Sequence, residues 1–408
     1  MKRRIVFSIG ASVLACGALA ALPVLRAQNG PGPAPVPAPA PAPPAATVRF
    51  AFSGNAAQPP SQFIGNLIFL PVRINQSQPS LFEIDTTAAV SSIDPQHAAD
   101  LGIANLDAPV MNLAGVDISL AGLGTSANSD FGSRVGRAYE GTIGNDVLSS
   151  VAIELDYGRK SVRLYDPAAF QYKGGGKSFP LTMHNGMPAV KAKVSVGGHK
   201  SGEALFILNT ALDVPLVISD RFAQEHHFFA AHMRTAPIAA GELGIGGNAV
   251  MARIEKFEIG PFDIEMPLAA FVQGKLPGAD DNQVAGEIGG GMFRRFTLIL
   301  DYARQNVILD ANSEARSDDH EDMSGISVAA SGPNLKTFDV VQVRPGSPAA
   351  DAKVEKGDVI AGVDDEAAAD MTLTALREMF RQVGHKYKLL IERNGKTQSI
   401  NVTMRHWM

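Results

Sequence analysis

The sequence predicts a mainly β protein: two lobes built on one repeated unit, followed by a smaller C-terminal domain. Three observations carry that expectation. From Val48 to about Asp310 the chain is a succession of short strand patterns separated by turns. LIFLPVRI, LFEID, VAIELDY and SVRLYD are among them, rich in β-branched residues or alternating in polarity. Glycine (40) and proline (26) are abundant against one Trp and six Tyr, the balance of a turn-rich chain. Finally, IGNDVLSSVAIELDYGRKSVRLYD, beginning at Ile143, returns as IGGGMFRRFTLILDYARQNVILD at Ile288, an offset of 145 residues (288 less 143). At that offset Gly144 matches Gly289, Asp156 matches Asp301 and Tyr157 matches Tyr302. Arg159, Val162 and Leu164 likewise match Arg304, Val307 and Leu309. The 408 residues suffice for two or three domains with substantial cores. A hydrophobic content of 45% with 19% charged residues is globular rather than disordered. The net charge of −5 gives no reason to expect nucleic-acid or anionic-membrane binding.

In chain order, residues 1–27 read as a signal peptide or a membrane or lipid anchor. Lys2, Arg3 and Arg4 precede an apolar run from Ile5 to about Leu25, with small residues near Ala27. The sole cysteine, Cys16, follows Val13-Leu14-Ala15, which resembles a bacterial lipoprotein cleavage site, although the apolar run continues past it. Cleavage near Ala27, lipid anchoring at Cys16 and an uncleaved anchor all stand open. Each implies an exported protein, periplasmic, extracellular or anchored in the cell envelope, whose folded part needs no disulfide. Residues 28–47 form a Pro/Ala-rich linker whose tract from Pro31 to Ala46 favours extended polyproline geometry. A semi-rigid spacer and a disordered leader are equally compatible with it.

Residues 48–171 and 172–311 are the two lobes. Each carries an apolar strand ending in Asp/Asn-Thr-x and, much later, Gly-x-Ile-Gly. These are Asp85-Thr86-Thr87 with Gly141-Thr142-Ile143-Gly144, and Asn209-Thr210-Ala211 with Gly286-Glu287-Ile288-Gly289. Asp85 and Asn209 are offset by only 124 residues (209 less 85), so the second copy carries about 21 extra residues between these landmarks. The pattern resembles the retropepsin and pepsin-like aspartic peptidases, and most closely bacterial two-copy aspartyl-protease-family proteins ending in a PDZ domain. The resemblance implies a two-lobed β-barrel fold with Asp85 and Asn209 together in one cleft, braced by Thr86 and Thr210. Peptide hydrolysis by such a site needs two carboxylates sharing one proton, because like charges about 3 Å apart cannot both ionise. One activates a water while the other protonates the scissile carbonyl oxygen. Here the brace is present but half of the dyad is not. Asn209 can hydrogen-bond yet cannot exchange a proton near neutral pH. The family's loop glycines are replaced by Thr87 and Ala211, where a Cβ crowds the carboxylates. A lost acid/base partner costs about 10²–10⁴ in rate. Asp213, four residues after Asn209, matches the retroviral Asp-Thr-Gly-Ala-Asp pattern and is expected either to face substrate backbone or to satisfy its own turn. Ala89 stands at that place in the first copy.

Neither a metal nor a cofactor is expected. Glu225-His226-His227 has no accompanying ligand set at helical spacing, and His320 lies in the acidic stretch NSEARSDDHEDM. That stretch, residues 312–323, reads as a solvated linker. Residues 324–408 resemble a PDZ domain through Gly325-Ile326, Ser347-Pro348-Ala349 and Gly357-Asp358-Val359-Ile360. A helix pattern from Thr372 to about Val383 and a strand pair around Asn394-Gly395 complete it. The resemblance implies that Gly325 and Ile326 present backbone N–H groups to a peptide C-terminus; a packing role is the alternative. Three functions follow: a peptide-binding protein with impaired or absent proteolysis, a working aspartic endopeptidase, or a PDZ-based envelope scaffold. The partner expected is a peptide or protein.

Overall fold

The computed structural model describes residues 47–407 apart from 104, 128, 231–232, 240–242, 244–247, 275, 277–282 and 320–321. The expected targeting segment, the Pro/Ala tract to Ala46 and His320 lie outside the described residues.

Four sheets organise the described residues. In lobe 1 a nine-stranded sheet carries the strand leading to Asp85, Ser80–Ile84. Gly141–Ile143 pairs parallel with it and antiparallel with Ser92–Ile93, which leaves the Asp85 loop. Lobe 2 repeats this motif within an eleven-stranded sheet. Val284–Gly289 lies between Ala204–Asn209, parallel to it, and Leu216–Ser219, antiparallel to it. In both lobes, then, the Gly-x-Ile-Gly strand is wedged between the two strands that flank the Asp or Asn loop.

That wedge explains the first glycine of each motif. Gly141 is paired with Phe82, and a Cβ on it would lie 2.2 Å from the Phe82 ring and 2.5 Å from the Ser92 carbonyl. Gly286 is paired with Phe206, and its Cβ would lie 2.0 Å from the Val217 carbonyl and 3.0 Å from the Phe206 ring. Both phenylalanines are fully buried and cannot withdraw.

A third sheet of five strands joins the lobes, in the order Ser161–Tyr165, Ala152–Asp156, Phe296–Asp301, Asn306–Ala311, Lys177–Pro180. Its central pair is antiparallel, with Ala152 opposite Asp301, Glu154 opposite Ile299 and Asp156 opposite Thr297. Under the 145-residue offset, Ala152 corresponds to Thr297 and Asp156 to Asp301, so the pairing maps onto itself about Glu154/Ile299. The repeated segment is therefore its own partner. Asp156 and Asp301 each turn the following hairpin by accepting from the N–H and guanidinium of Arg159 and Arg304 respectively. One apolar core runs from Ile84 and Ile143 through Leu155 and Leu300 to Leu208 and Ile288.

The C-terminal domain has a separate core, Ile326 to Met404, within a six-stranded sheet. Ile326–Ser331 is one edge of that sheet, and helix Leu373–Met379 is capped by the Thr372 hydroxyl. Asn394 and Gly395 both have positive φ (52° and 71°), the geometry of a tight hairpin between Lys386–Arg393 and Lys396–Thr403.

The acidic stretch 312–323 keeps Glu314, Arg316 and Asp318 exposed but is anchored at one point rather than solvated throughout. Asp319 is buried, 2.7 Å from the Arg295 guanidinium, and accepts the Leu268 N–H at 2.6 Å. Arg294 pairs with Glu314 and donates to the Asp318 carbonyl. Two consecutive arginines after the Gly-x-Ile-Gly motif draw the acidic run down onto lobe 2.

The wedge has a measurable consequence. Gly286→Ala and Gly141→Ala each cost about 3 kcal/mol of stability, read as a lower urea midpoint at unchanged slope. Gly202→Ala, where an added Cβ meets nothing within 4 Å, leaves the midpoint in place.

Candidate functional site

The two loop tips are held together by a reciprocal pair of threonines. Strand alternation turns Ile84 and Leu208 into the core and leaves Glu83 and Asp85, and Ile207 and Asn209, on the opposite face. The next residues, Thr86 and Thr210, are completely buried (0% exposed). The Thr86 N–H donates to the Thr210 hydroxyl at 3.1 Å, and the Thr210 N–H donates to the Thr86 hydroxyl at 3.1 Å. Each hydroxyl then donates to a carbonyl of the other lobe, Thr86 to Leu208 and Thr210 to Ile84 (2.7 Å). Asn145, following the first Gly-x-Ile-Gly, donates to the carbonyls of Thr86 (2.6 Å) and Gly186 (3.0 Å) and accepts from the Tyr302 hydroxyl (3.1 Å).

Asp85 and Asn209 thus stand at equivalent places at the ends of strands in two different sheets, linked through the threonine brace. Asp85 Oδ1 accepts from the Thr87 N–H (2.7 Å), the Thr87 hydroxyl (2.6 Å) and the Ala88 N–H (3.3 Å). Thr87 therefore contributes a donor where the resemblance implies only crowding. Burial raises the Asp85 pKa, and these hydrogen bonds pull it part of the way back. Asn209 Oδ1 accepts the Ala211 N–H at 2.9 Å, and its Nδ2 donates to Glu287 Oε2 at 2.7 Å.

Glu83 and Glu287 were not singled out by the sequence reading. Glu83, 3% exposed, has its pKa pushed well up, first by burial and then by the charge of Asp85; a hydrogen bond from Tyr139 and the charge of Arg134 oppose this. Its Oε1 has no hydrogen-bond partner among the described residues. Glu287, 6% exposed, is pushed up to about 7 by burial and by Asp85, against the Asn209 hydrogen bond. The signals that could have found them are an ionisable residue inside the apolar strand LFEID, and a glutamate at the variable position of Gly-x-Ile-Gly where the first copy has Thr142.

Asp213 is placed otherwise than as a free substrate contact. Its Oδ1 accepts from the Asn66 N–H (2.9 Å) and Asn66 Nδ2 (2.8 Å), and Asn66 Nδ2 also reaches its carbonyl (3.0 Å). The second-copy loop is therefore tied to the Gly65-Asn66 turn of lobe 1. Gly65 has φ +59° and passes so close that a Cβ there would lie 3.0 Å from Asp213 Oδ1. Asp213 also borders a cavity of about 450 Å³ whose other walls include Phe131 and Arg134 of lobe 1, Val214 of lobe 2, and Val328 and Arg377 of the C-terminal domain.

At the C-terminal domain, Gly325 has φ +74°, and a Cβ would strike Ser347 at 2.1 Å. The Gly325 N–H donates to Asp322 Oδ1 (2.6 Å) and the Ile326 N–H to the Ser324 hydroxyl (3.0 Å). The two donors expected to meet a peptide carboxylate are thus occupied from within the chain. Edge strand Ile326–Ser331 packs against helix Ser129–Val135 of lobe 1, and the Arg344 Nε donates to the Pro237 carbonyl of lobe 2. The domain's edge faces the lobes. His226 lies stacked on Phe228 at the end of helix Asp220–Glu225.

Residues 318–404 match the family model described as PDZ domain. No curated protein matches the sequence. Among solved structures the chain is similar to an aspartic proteinase from Irpex lacteus, with TM-score 0.39 and 11% identity over 64% of this chain and 99% of that one. It is also similar to a photosystem II D1 C-terminal processing protease, with TM-score 0.19 and 23% identity over 20% of this chain and 22% of that one. The protein is mainly β and ends in a PDZ domain.

The raised carboxyl of Glu287 makes stability depend on pH. Below its ordinary value near 4.5, folded and unfolded chains both carry the proton. Between that value and about 7 the unfolded chain releases it first, so the folded state loses stability as pH rises. Glu287→Gln, which keeps the shape without titrating, flattens that loss in thermal unfolding. Above this range it is more stable than the wild type by about 3 kcal/mol.

Proposed function

We propose that this chain is an exported, two-copy protein of the pepsin-like aspartic-peptidase type whose cleft binds peptide and whose proteolysis is impaired or absent. The observation that carries the reading is the state of Asn209. In this reading it takes the place of the second dyad carboxylate, and both ends of its amide are engaged, by Glu287 and by the Ala211 N–H. An amide held in this way orients but does not take up a proton. The basic and apolar N-terminus, Lys2 to about Leu25, supports export, and its three modes of anchoring or release stay within the proposal. Peptide C-termini are the expected ligand class of the PDZ domain, and binding at Gly325 and Ile326 requires the peptide carboxylate to displace Asp322 and the Ser324 hydroxyl from their N–H groups. A working endopeptidase is the second reading, favoured by Glu287, a carboxyl that titrates near neutrality beside the Asn209 amide.

The discriminating experiment is cleavage of a peptide library from acidic to neutral pH. The wild type should cleave no faster than Asp85→Asn. Asn209→Asp should cleave weakly with an acidic optimum, because its new carboxylate lies against Glu287 and only a protonated Glu287 tolerates it. Adding Glu287→Gln removes that repulsion and raises the rate by about 10². Robust wild-type cleavage that disappears with Asp85→Asn would establish the second reading instead. The inward-facing edge strand gives a separate expectation: a fragment spanning residues 318–407 binds carboxylate-terminated peptides about tenfold more tightly than the full chain, measured by fluorescence anisotropy.

A further inference from the structure

We infer that Glu83 and Glu287 form an acidic floor that selects peptides carrying a lysine or arginine side chain next to the Asp85 position. This inference rests on the peptide-cleft reading above and names the class of peptide. The two glutamates come from different places in the repeat. Glu83 lies two residues before Asp85 on the incoming strand, where the second copy has Ile207. Glu287 occupies the variable position of Gly-x-Ile-Gly, where the first copy has Thr142, and it is paired with Ile207. By alternation and register all of these side chains share the face of Asp85 and Asn209. Each lobe thus sets one buried carboxyl beside its loop tip.

Such a pair is costly to hold without a cation. Glu83 faces Asp85, the Tyr139 hydroxyl and Arg134; Glu287 faces Asp85 and the Asn209 amide. Arg134, on helix Ser129–Val135, lies over the Phe131 ring at 4.2 Å and borders the cavity, and its charge bears on Glu83. Glu83 Oε1, buried and without a hydrogen-bond partner among the described residues, is an unsatisfied acceptor. An apolar ligand side chain would leave that acceptor unsatisfied, whereas an ammonium or guanidinium group supplies both charge and donors. A metal ion fits less well, since no group of three carboxylate, His or Cys side chains among the described residues is close enough to hold one. Ionised carboxyls take the cation and protonated ones do not, so the preference for cationic peptide grows as pH rises through about 7, where Glu287 titrates.

The test uses the full chain and acetylated, amidated octapeptides that differ at one central residue: lysine, arginine, norleucine or glutamate. The amide cap removes the terminal carboxylate that the PDZ domain would bind. By isothermal titration, lysine and arginine peptides should bind about tenfold or more tightly than norleucine peptide at mildly alkaline pH. That ratio should shrink toward one in mild acid, a readout that needs no variant. Glu83→Gln with Glu287→Gln should abolish the ratio while norleucine peptide still binds. Equal binding of cationic and neutral peptides overturns the inference and leaves the cleft reading standing. A preference that survives the double variant overturns it as well, and failure of every peptide to bind overturns both.

Discussion

Each buried hydroxyl, on Thr86 and on Thr210, must accept an N–H from the opposite loop and donate to a carbonyl of the opposite strand. Neither group has water to fall back on, so a loop that moved away would strand two N–H groups, two hydroxyls and two carbonyls in the interior. The position of Asp85 relative to Asn209 is therefore set by main-chain satisfaction rather than by attraction between the two side chains. The brace makes no use of the side chain of residue 209, so an amide there leaves it untouched. The same logic extends outward through Asn145, which bonds Thr86, Gly186 and Tyr302 at once.

The arrangement of carboxyls supplies a physical reason for an amide at 209. Asn209 Nδ2 is a donor to Glu287, and an aspartate in that place would set two like charges within hydrogen-bond distance of one another and close to Asp85. The second lobe carries its carboxyl on the strand beside the loop, and the loop residue Asn209 satisfies it through Nδ2.

How much of this could be read in advance depended on periodicity. Ile143 and Ile288 begin segments alike enough to be aligned by eye, and the β-rich class followed from the spacing of strand patterns and turns. The PDZ domain was legible because its punctuation is obligatory: Gly325 cannot carry a Cβ beside Ser347, and Asn394-Gly395 both need positive φ. Three things were opaque. Glu83 and Glu287 are single departures from the repeat, and a departure acquires meaning only when register shows what it faces. Asp213 finds its partner in Asn66, 147 residues away, and local pattern says nothing about such a contact. The acidic stretch read as solvated because charge runs usually are; its docking requires Arg294 and Arg295, which come close only once the lobe has formed.

The self-paired sheet between the lobes also fixes the order in which the chain can complete itself. Ala152–Asp156 waits for Phe296–Asp301, about 145 residues further along, and until that segment emerges the first lobe carries an unpaired strand edge with an apolar face of Ile153 and Leu155. Loop closure over such a distance is slow, and an open edge is a template for pairing with other chains. A polypeptide that leaves its ribosome or a membrane pore from the N-terminus would expose this edge throughout synthesis of the second lobe. The symmetry that makes the finished molecule rigid thus concentrates its vulnerability in the interval before the second copy arrives, which is the interval a holding chaperone would have to cover.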